Sequence, residues 1–474
     1  MVKLDSSPED FRAAGHQLID WIARYLETVE RYPVLAQVSP GDVASRLPSQ
    51  PSSGGRPYED LLREFEETIL PGITHWNHPA FLAYFAITGS QAGILGELLT
   101  AALNLNGMVW RTSPALTELE VVTLRWLAGA LGLPEGLFGI INDTASINSF
   151  LGLASARESL GLGIRREGMT GRNLPTLRVY CSEHAHSSIE KGCVALGFGV
   201  KNVIKIGSDD GYRMRVDLLE EAIAADRSKG FLPCAIVATS GTTSTASIDP
   251  VRRIGELARR EKIWLHVDAA YAGPAALLPE CGQIFDGIEF ADSIVVNPHK
   301  WLFTPVDCSV LYTRHPEVLR EAFAIAETPA YLTTYDSAEI NYMDYGLQLG
   351  RRFRALKLWM VLEHYGLERL REVIRDHIAF ARRLATELSQ KADIEILAPQ
   401  SLSVVVFRKV IRSSSGGVDE QRSDEATGDL LQRVNASGRL FVSETRLRGR
   451  RGIRVAIGNG ATEWRHVAQL LEFL

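Results

Sequence analysis

The chain lacks a membrane-length apolar run, is sparing with cysteine, and carries no large excess of charge of either sign. Its most apolar long stretch, residues 81–103, is interrupted by Gly89, Ser90, Gln91 and Glu97, and so falls short of the ~20 apolar residues that a span requires. Five cysteines in 474 residues (Cys181, Cys193, Cys234, Cys281, Cys308) form no C-x-x-C pair. That excludes a dithiol redox couple or zinc knuckle and leads us to expect reduced thiols in a cytoplasmic protein. The 51 basic and 57 acidic residues are interspersed and give a net charge of -6, which argues against a nucleic-acid footprint or a polybasic membrane anchor. The one local exception, Arg446, Arg448, Arg450 and Arg451, reads as a solvated turn between two strands, with an anion site as the alternative. No G-x-G-x-x-G turn follows an early strand, which disfavours a dinucleotide-binding dehydrogenase. The first thirty residues place Asp5, Glu9, Asp10, Asp20 and Glu27 among apolar positions, a pattern expected of an amphipathic helix and not of an export signal.

What is present is enough apolar residue, 46% of the chain, to bury two or three cores without disulfide staples. Phe11, Leu18, Ile19, Ile22 and Leu26 recur at helical spacing and precede a Pro/Ser/Gly-rich passage over residues 33–57. Residues 1–88 are therefore predicted to form a helical arm whose apolar stripe packs on something else, with a second subunit as the expected partner. Over residues 89–360 helical stretches alternate with the short runs LRVYCS, NVIKI, CAIVATS, IWLHVDAA, SIVVNPHK and CSVLYT. This alternation predicts an α/β domain with a mainly parallel sheet covered by helices. Residues 361–474, with the runs IEILA, SLSVVVFRK, RLFVSETR and GIRVAI, predict a smaller α+β domain.

Ligands of open α/β sheets sit beyond the carboxyl ends of the strands, and the unusual residues fall there. Lys300 ends the run SIVVNPHK beside Asn297, Pro298, His299 and Trp301. A partly desolvated lysine is a competent amine nucleophile toward an aldehyde, although a lone lysine at a strand end more often snorkels to water. Asp268 closes IWLHVD about one crossover unit upstream. Such a carboxylate can hold a pyridine nitrogen protonated, or simply cap a turn. The segment Asn142-Asp143-Thr144-Ala145-Ser146 opens a helical pattern, where hydroxyls and free N–H groups suit a phosphate, or merely an N-cap. His186, in EHAHSSIEK, offers an imidazole to lie against a ring; its spacing from His184 could suggest a metal, but no second ligand cluster of suitable spacing accompanies it. No metal is expected.

Taken together and in this order, these elements resemble the group II pyridoxal-phosphate decarboxylases, specifically the aromatic-L-amino-acid decarboxylase family. The resemblance covers nearly the whole chain from Phe11 and is carried by THWNHPAFLAYF, TSPALTELE, AHSSIEK, ATSGTT, IWLHVDAAYAG, EFADSIVVNPHKW and LGRRFRALKLW. It implies pyridoxal 5'-phosphate as cofactor, a fold of the aspartate-aminotransferase type (fold type I), and a homodimer built partly by the arm. Lys300 would be the amine that joins the cofactor's aldehyde, Asp268 the partner of its ring nitrogen, Ala270 a packing surface and His186 the stacking ring. Thr144, Ala145, Ser146, Asn297 and His299 would hold the phosphate side, and Thr243 matches a threonine beside the cofactor.

The resemblance also implies that Tyr331, in TPAYL, is the residue of a lid over residues 324–340 that returns a proton to the substrate carbon. A phenylalanine there, or an asparagine at position 186, would mark a relative that oxidises its substrate to an aldehyde. Trp76, Tyr84, Phe85, Ala86, Ile87, Met108, Trp110 and Gly350 occupy positions like the family's ring pocket. The chain departs from the common pattern at Ala86 and Ile87, and at Asp143 and Thr144. The apolar Ile87 and the room left by Gly350 tilt the expectation toward tryptophan-like or phenylalanine-like substrates, with tyrosine and dihydroxyphenylalanine still open. A histidine or glutamate decarboxylase, an aldehyde synthase and a catalytically silent scaffold are the competing expectations.

Overall fold

A computed structural model describes residues 7–325 and 339–474 of the chain. Its main sheet has seven strands: β1 (Phe138–Asn142), β2 (Leu177–Ser182), β3 (Val203–Ile206), β4 (Leu232–Thr239), β5 (Trp264–Asp268), β6 (Ser293–Val296) and β7 (Ser309–Thr313). Their order across the sheet is β1-β7-β6-β5-β4-β2-β3. From β6 to β3 every pairing is parallel, while β7 runs antiparallel to β6 and to β1. Strands β4 to β7 are buried almost throughout, and their near-continuous Val/Ile/Ala content is what a sheet covered on both faces demands.

The two antiparallel pairings have a consequence for position. Because β7 reverses direction and β1 reverses it again, β1 finishes on the same edge as β4, β5 and β6. Asn142 at the end of β1 is in register with Ser309 at the start of β7, and Val296 at the end of β6 pairs with Val310. Thr239, Asp268 and Val295 are neighbours across β4, β5 and β6. With β2 and β3 parallel to β4, one sheet edge therefore collects the residues after six strand ends, β1 to β6.

The helix Ala145–Glu158 packs across this sheet. Its close approach is made at Gly152, where an added Cβ would stand 2.7 Å from Nδ1 of His266 and 3.1 Å from Oγ of Ser293. Ser149 of the helix bonds Nε2 of His266 at 3.2 Å, and Ser293 bonds its Nδ1 at 2.8 Å. Helix, β5 and β6 are thus pinned through one buried imidazole.

Four further strands, β8 (Ile394–Ile396), β9 (Val404–Lys409), β10 (Ser443–Leu447) and β11 (Arg450–Ala456), form a second sheet in the order β10-β11-β9-β8. Strands β10 and β11 are an antiparallel hairpin, so the arginine cluster does lie at a turn between strands. Arg446 pairs with Asp424, Arg450 with Glu395 and Arg451 with Glu444.

The chain divides into two compact units, one of residues 1–86, 388–395 and 407–474, the other of residues 87–387 and 396–406. This differs from the division into residues 1–88, 89–360 and 361–474. The arm and the C-terminal segments belong to one unit. Residues 361–387 stay with the main sheet because the helix Arg354–Ser389 continues past that point, bending at Gly366, where φ is 68°. The five cysteines are unpaired and buried, and burial holds their thiols above the usual range, Cys193 at about 12. Among the described residues no helix is long and apolar enough to cross a membrane.

Candidate active site

Lys300 lies on the single helical turn Pro298–Trp301 that follows β6. Asn297 caps that turn with its backbone carbonyl, which accepts the Lys300 N–H at 3.0 Å, and the Asn297 N–H reaches the Ala270 carbonyl at 3.3 Å. The segment after β6 is therefore tied to the segment after β5. Asp268 ends β5 and is buried; its Oδ1 accepts the Ala270 N–H at 3.1 Å. One backbone donor leaves most of the carboxylate's acceptor capacity unused. Thr239 stands opposite Asp268 in register, and its buried Oγ1 has no hydrogen-bond partner among the described residues.

His186 caps the helix Ser187–Ala195, its Nδ1 accepting the Ser188 N–H at 3.2 Å and lying 2.8 Å from the Ser188 hydroxyl. Burial is the main influence on this imidazole and lowers its pKa; Asp268 pulls it up and Lys300 pushes it down. The ring is consequently neutral at pH 7 and shares one electrostatic neighbourhood with both residues. The structure thus brings together His186, Asp268 and Lys300, three residues far apart in sequence.

The phosphate-side residues sit on the same edge. The helix Ala145–Glu158 begins after Thr144 with no side-chain cap, so its first N–H groups keep the positive end of the helix available to an anion. Thr144 and Ser146 are exposed. A buried relay runs from this turn toward the lysine. Asn142 donates to Asn148 at 2.7 Å, Asn148 donates to Ser309 at 2.7 Å, and the Ser309 hydroxyl donates to Oδ1 of Asn297. Asn297 thereby keeps its amide nitrogen as a donor. His299 accepts the Cys308 N–H on Nδ1 at 2.9 Å, and burial above all lowers its pKa to about 3. In that neutral tautomer Nε2 carries the hydrogen.

Thr243 is exposed on a turn that its neighbours make rigid. Thr242 Oγ1 bonds the hydroxyls of Thr245 and Ser247 at 3.0 and 2.8 Å. Gly241 has φ +90°, and an added Cβ there would meet Ala272 at 2.7 Å, so only glycine fits. Asp249, wholly buried, accepts the N–H groups of Met214 and Thr239 at 2.7 and 2.8 Å; burial raises its pKa to about 6 against the pull of those bonds.

The expected ring-pocket residues fall into groups. Met108, Trp110 and Gly350 lie about the segment that follows residue 340. The Trp110 N–H donates to Asn341 at 3.0 Å, Met343 N–H donates to the Met108 carbonyl at 3.0 Å, and Asn106 lies 3.8 Å from a Cβ built on Gly350. Ile87 is half-buried just before Ser90, whose N–H reaches the Phe303 carbonyl at 3.0 Å, close in sequence to Lys300. In the other unit, Trp76 stacks on Phe81 and Tyr84 at 4.3 and 5.9 Å between ring centres, and Arg454 lies over Phe85 at 4.4 Å. Ala86 is buried against Gly458. Tyr331 and nearly all of the lid expected over residues 324–340 lie outside the described residues.

This edge fits pyridoxal phosphate. It holds a carboxylate with spare acceptor capacity, an unpartnered buried hydroxyl beside it, an uncapped helix start, and an amine on the adjoining strand end. Sequence reasoning missed Asn148 and Ser309, whose contact joins distant segments and carries no local signal.

Comparison with known proteins agrees with this geometry. The sequence model of the "Pyridoxal-dependent decarboxylase conserved domain" matches residues 40–410. The chain is 40% identical to tyrosine decarboxylase 2 of Arabidopsis thaliana, over 100% of this chain and 87% of that protein. It is 39% identical to the phenylacetaldehyde synthase of the same plant, over 97% of this chain and 94% of the relative. The crystal structure of Oryza sativa TDC with PLP and tryptamine superposes with a TM-score of 0.94 at 35% identity, covering 99% of this chain and 98% of that one. That structure carries the same fold, so the α/β architecture is that of pyridoxal-phosphate fold type I. With the domain matched over most of its length and these relatives aligned nearly end to end, the chain belongs to the pyridoxal-dependent decarboxylase family, whose cofactor is pyridoxal phosphate.

Proposed function

We propose that this enzyme removes the α-carboxylate of an aromatic L-amino acid, giving the arylalkylamine and carbon dioxide. The observation that carries the reading is the meeting of His186, Asp268 and Lys300 at one sheet edge. Bound pyridoxal phosphate supplies an electron sink for the pair released when the carboxylate departs. Asp268 would hold a proton at the ring nitrogen, Lys300 would provide the amine that anchors the aldehyde, and the start of helix Ala145–Glu158 would hold the phosphate with Ser146, Asn297 and His299. His186, kept neutral by burial, offers a flat face without adding charge. The aromatic substrate class is supported by the named relatives.

An aldehyde synthase is the second reading, because one relative of 39% identity bears that name. His186 and Tyr331 favour the simple decarboxylase, on the family pattern described above. We also propose a cytoplasmic homodimer. Leu95, Leu98, Leu99 and Leu103 are exposed along one helix, and Phe11, Leu18 and Ile19 along another, more apolar surface than a monomer usually shows.

The deciding experiment supplies the holoenzyme with L-tryptophan, L-phenylalanine, L-tyrosine and dihydroxyphenylalanine in turn and measures amine, aldehyde, ammonia and peroxide. The expected products are amine and carbon dioxide, with tryptophan or phenylalanine preferred. Stoichiometric ammonia and peroxide would establish the synthase instead, and turnover of glutamate or histidine alone would refute the aromatic reading.

A further inference from the structure

We infer that Glu120 and Arg351 are positioning residues for the phosphate: their buried ion pair grips the edge strand β1 one residue before Asn142 and sets the start of helix Ala145–Glu158. The inference rests on the cofactor reading above and assigns a role to residues outside the reacting cluster.

Strand β1 is the last in its sheet, so the outward N–H and C=O of its residues have no strand to pair with. At Ile141 two side chains replace the missing strand. Glu120 Oε1 accepts the Ile141 N–H at 2.8 Å, and Arg351 Nη2 donates to the Ile141 carbonyl at 2.7 Å. The same two atoms bond each other at 2.8 Å, with side chains 0% and 2% exposed. Both backbone groups of one residue are thereby fixed by one ion pair.

Arg351 is itself held by three further contacts. Its N–H donates to Asn106 at 3.0 Å, its carbonyl accepts the Gly107 N–H at 2.9 Å, and its guanidinium lies 4.2 Å from the centre of the Tyr342 ring. Gln348 on the same segment donates to Asp143 at 3.3 Å, and Asp143 in turn accepts the Thr144 N–H at 2.6 Å. One segment therefore fixes β1 before the turn and the turn itself.

Stability is a poor explanation for the pair. Oε2 of Glu120 and Nη1 of Arg351 are buried with no hydrogen-bond partner among the described residues. Two desolvated ions that each leave a polar atom unsatisfied stabilise a fold no better than well-packed apolar residues. What apolar residues could not do is bond both backbone groups of Ile141.

The test compares pyridoxal phosphate with pyridoxal, which lacks the phosphate, in titrations of the full-length protein freed of cofactor and followed by absorbance. Arg351→Met should weaken pyridoxal phosphate binding by about tenfold or more, the loss of a hydrogen bond to a charged group, and Glu120→Gln, whose amide oxygen still accepts the Ile141 N–H without the charge, should weaken it by a smaller factor. Pyridoxal binding should barely change. Arg351→Lys should recover part of the loss, since an ammonium can keep one of the two bonds. If Arg351→Met fails to fold, the isosteric Glu120→Gln carries the comparison. Equal weakening of both ligands, or no weakening of either, overturns the inference. A wild-type protein that shows no preference for the phosphorylated ligand overturns the phosphate-turn reading itself, which distinguishes the two failures.

Discussion

Acid should unfold this enzyme from the middle of its sheet, through His266. The imidazole is wholly buried between β5, β6 and the helix Ala145–Glu158; burial lowers its pKa from 6.5 to about 4, with Asp268 pulling weakly upward. In the unfolded chain the ring returns to its ordinary value. The folded pKa is the lower one, so the unfolded state binds the extra proton: this stability is complete above 6.5 and is lost as pH falls toward 4. A shift of about 2.5 units corresponds to roughly 3 kcal/mol, a large share of the ~5–15 kcal/mol that holds a typical protein folded. His299, with its pKa near 3, adds a loss of the same sign. Asp249 opposes them: its folded pKa is raised to about 6, so its contribution is complete below 3.8 and disappears as pH rises through 6. Replacing His266 with Gln isolates the effect. Urea unfolding of wild type and His266→Gln, followed by tryptophan fluorescence at several pH values, should show the wild type more stable near neutrality. The gap should narrow by about 2–3 kcal/mol on going to roughly pH 4.5. A gap that stays constant over this range would show that the imidazole is not a neutral strut, and the reasoning would fail.

Gly152→Ala should lower the thermal midpoint, because the new Cβ would stand 2.7 Å from the His266 ring; overpacking of about 1–3 kcal/mol outweighs the ~1 kcal/mol gain in helix propensity, and an unchanged midpoint would contradict it. Asp249→Asn should destabilise by about 1–3 kcal/mol, measurable by urea unfolding near neutral pH, because two backbone donors face the carboxylate and an amide offers one oxygen. Lys300→Ala should abolish the visible imine absorption and reduce amine formation by orders of magnitude while the protein stays folded by circular dichroism; retention of the band would remove Lys300 from its role. Asp268→Ala should weaken cofactor retention on gel filtration and depress kcat, whereas Asp268→Asn should keep the bond from the Ala270 N–H but lose the charge and remain slow.

The strand ends were legible because a buried parallel strand must be a short apolar run, and the runs from LRVYCS to CSVLYT became β2 to β7 in order. Strand β1 was not singled out: FGIIN is short, begins at a Phe-Gly step, and gains its partner from β7, far along the chain. The reversal of β7 was equally hidden, since hydrophobic periodicity reports burial and not direction. Lys300 and Asp268 were visible because charged residues directly after buried strands are costly and need a reason. His266 was passed over although it lies two residues before Asp268, on the same face of β5. Its role depends on Ser149 and Ser293, which supply its two hydrogen bonds across the sheet. The pair of Glu120 and Arg351 follows the same rule, as contacts between distant segments leave no local pattern.

The double reversal at β7 and β1 explains why so few residues suffice to build the site. Only Asp143 and Thr144 separate the end of β1 from the helix that begins at Ala145, and only Asn297, Pro298 and His299 separate the end of β6 from Lys300. Ser309, opening β7 between these strands, bonds both Asn148 and Asn297. The phosphate turn and the lysine are thus fixed to the sheet by two short connections and one shared hydroxyl, with little slack for either to move alone. An edge so constrained can anchor a cofactor but can hardly choose between two outcomes for the same bound substrate. The family resemblance implies that product choice rests in part on His186, which reaches the edge from outside these connections. For that reason His186→Asn, more than any change along β5 or β6, is the substitution expected to alter which product leaves while the cofactor remains bound.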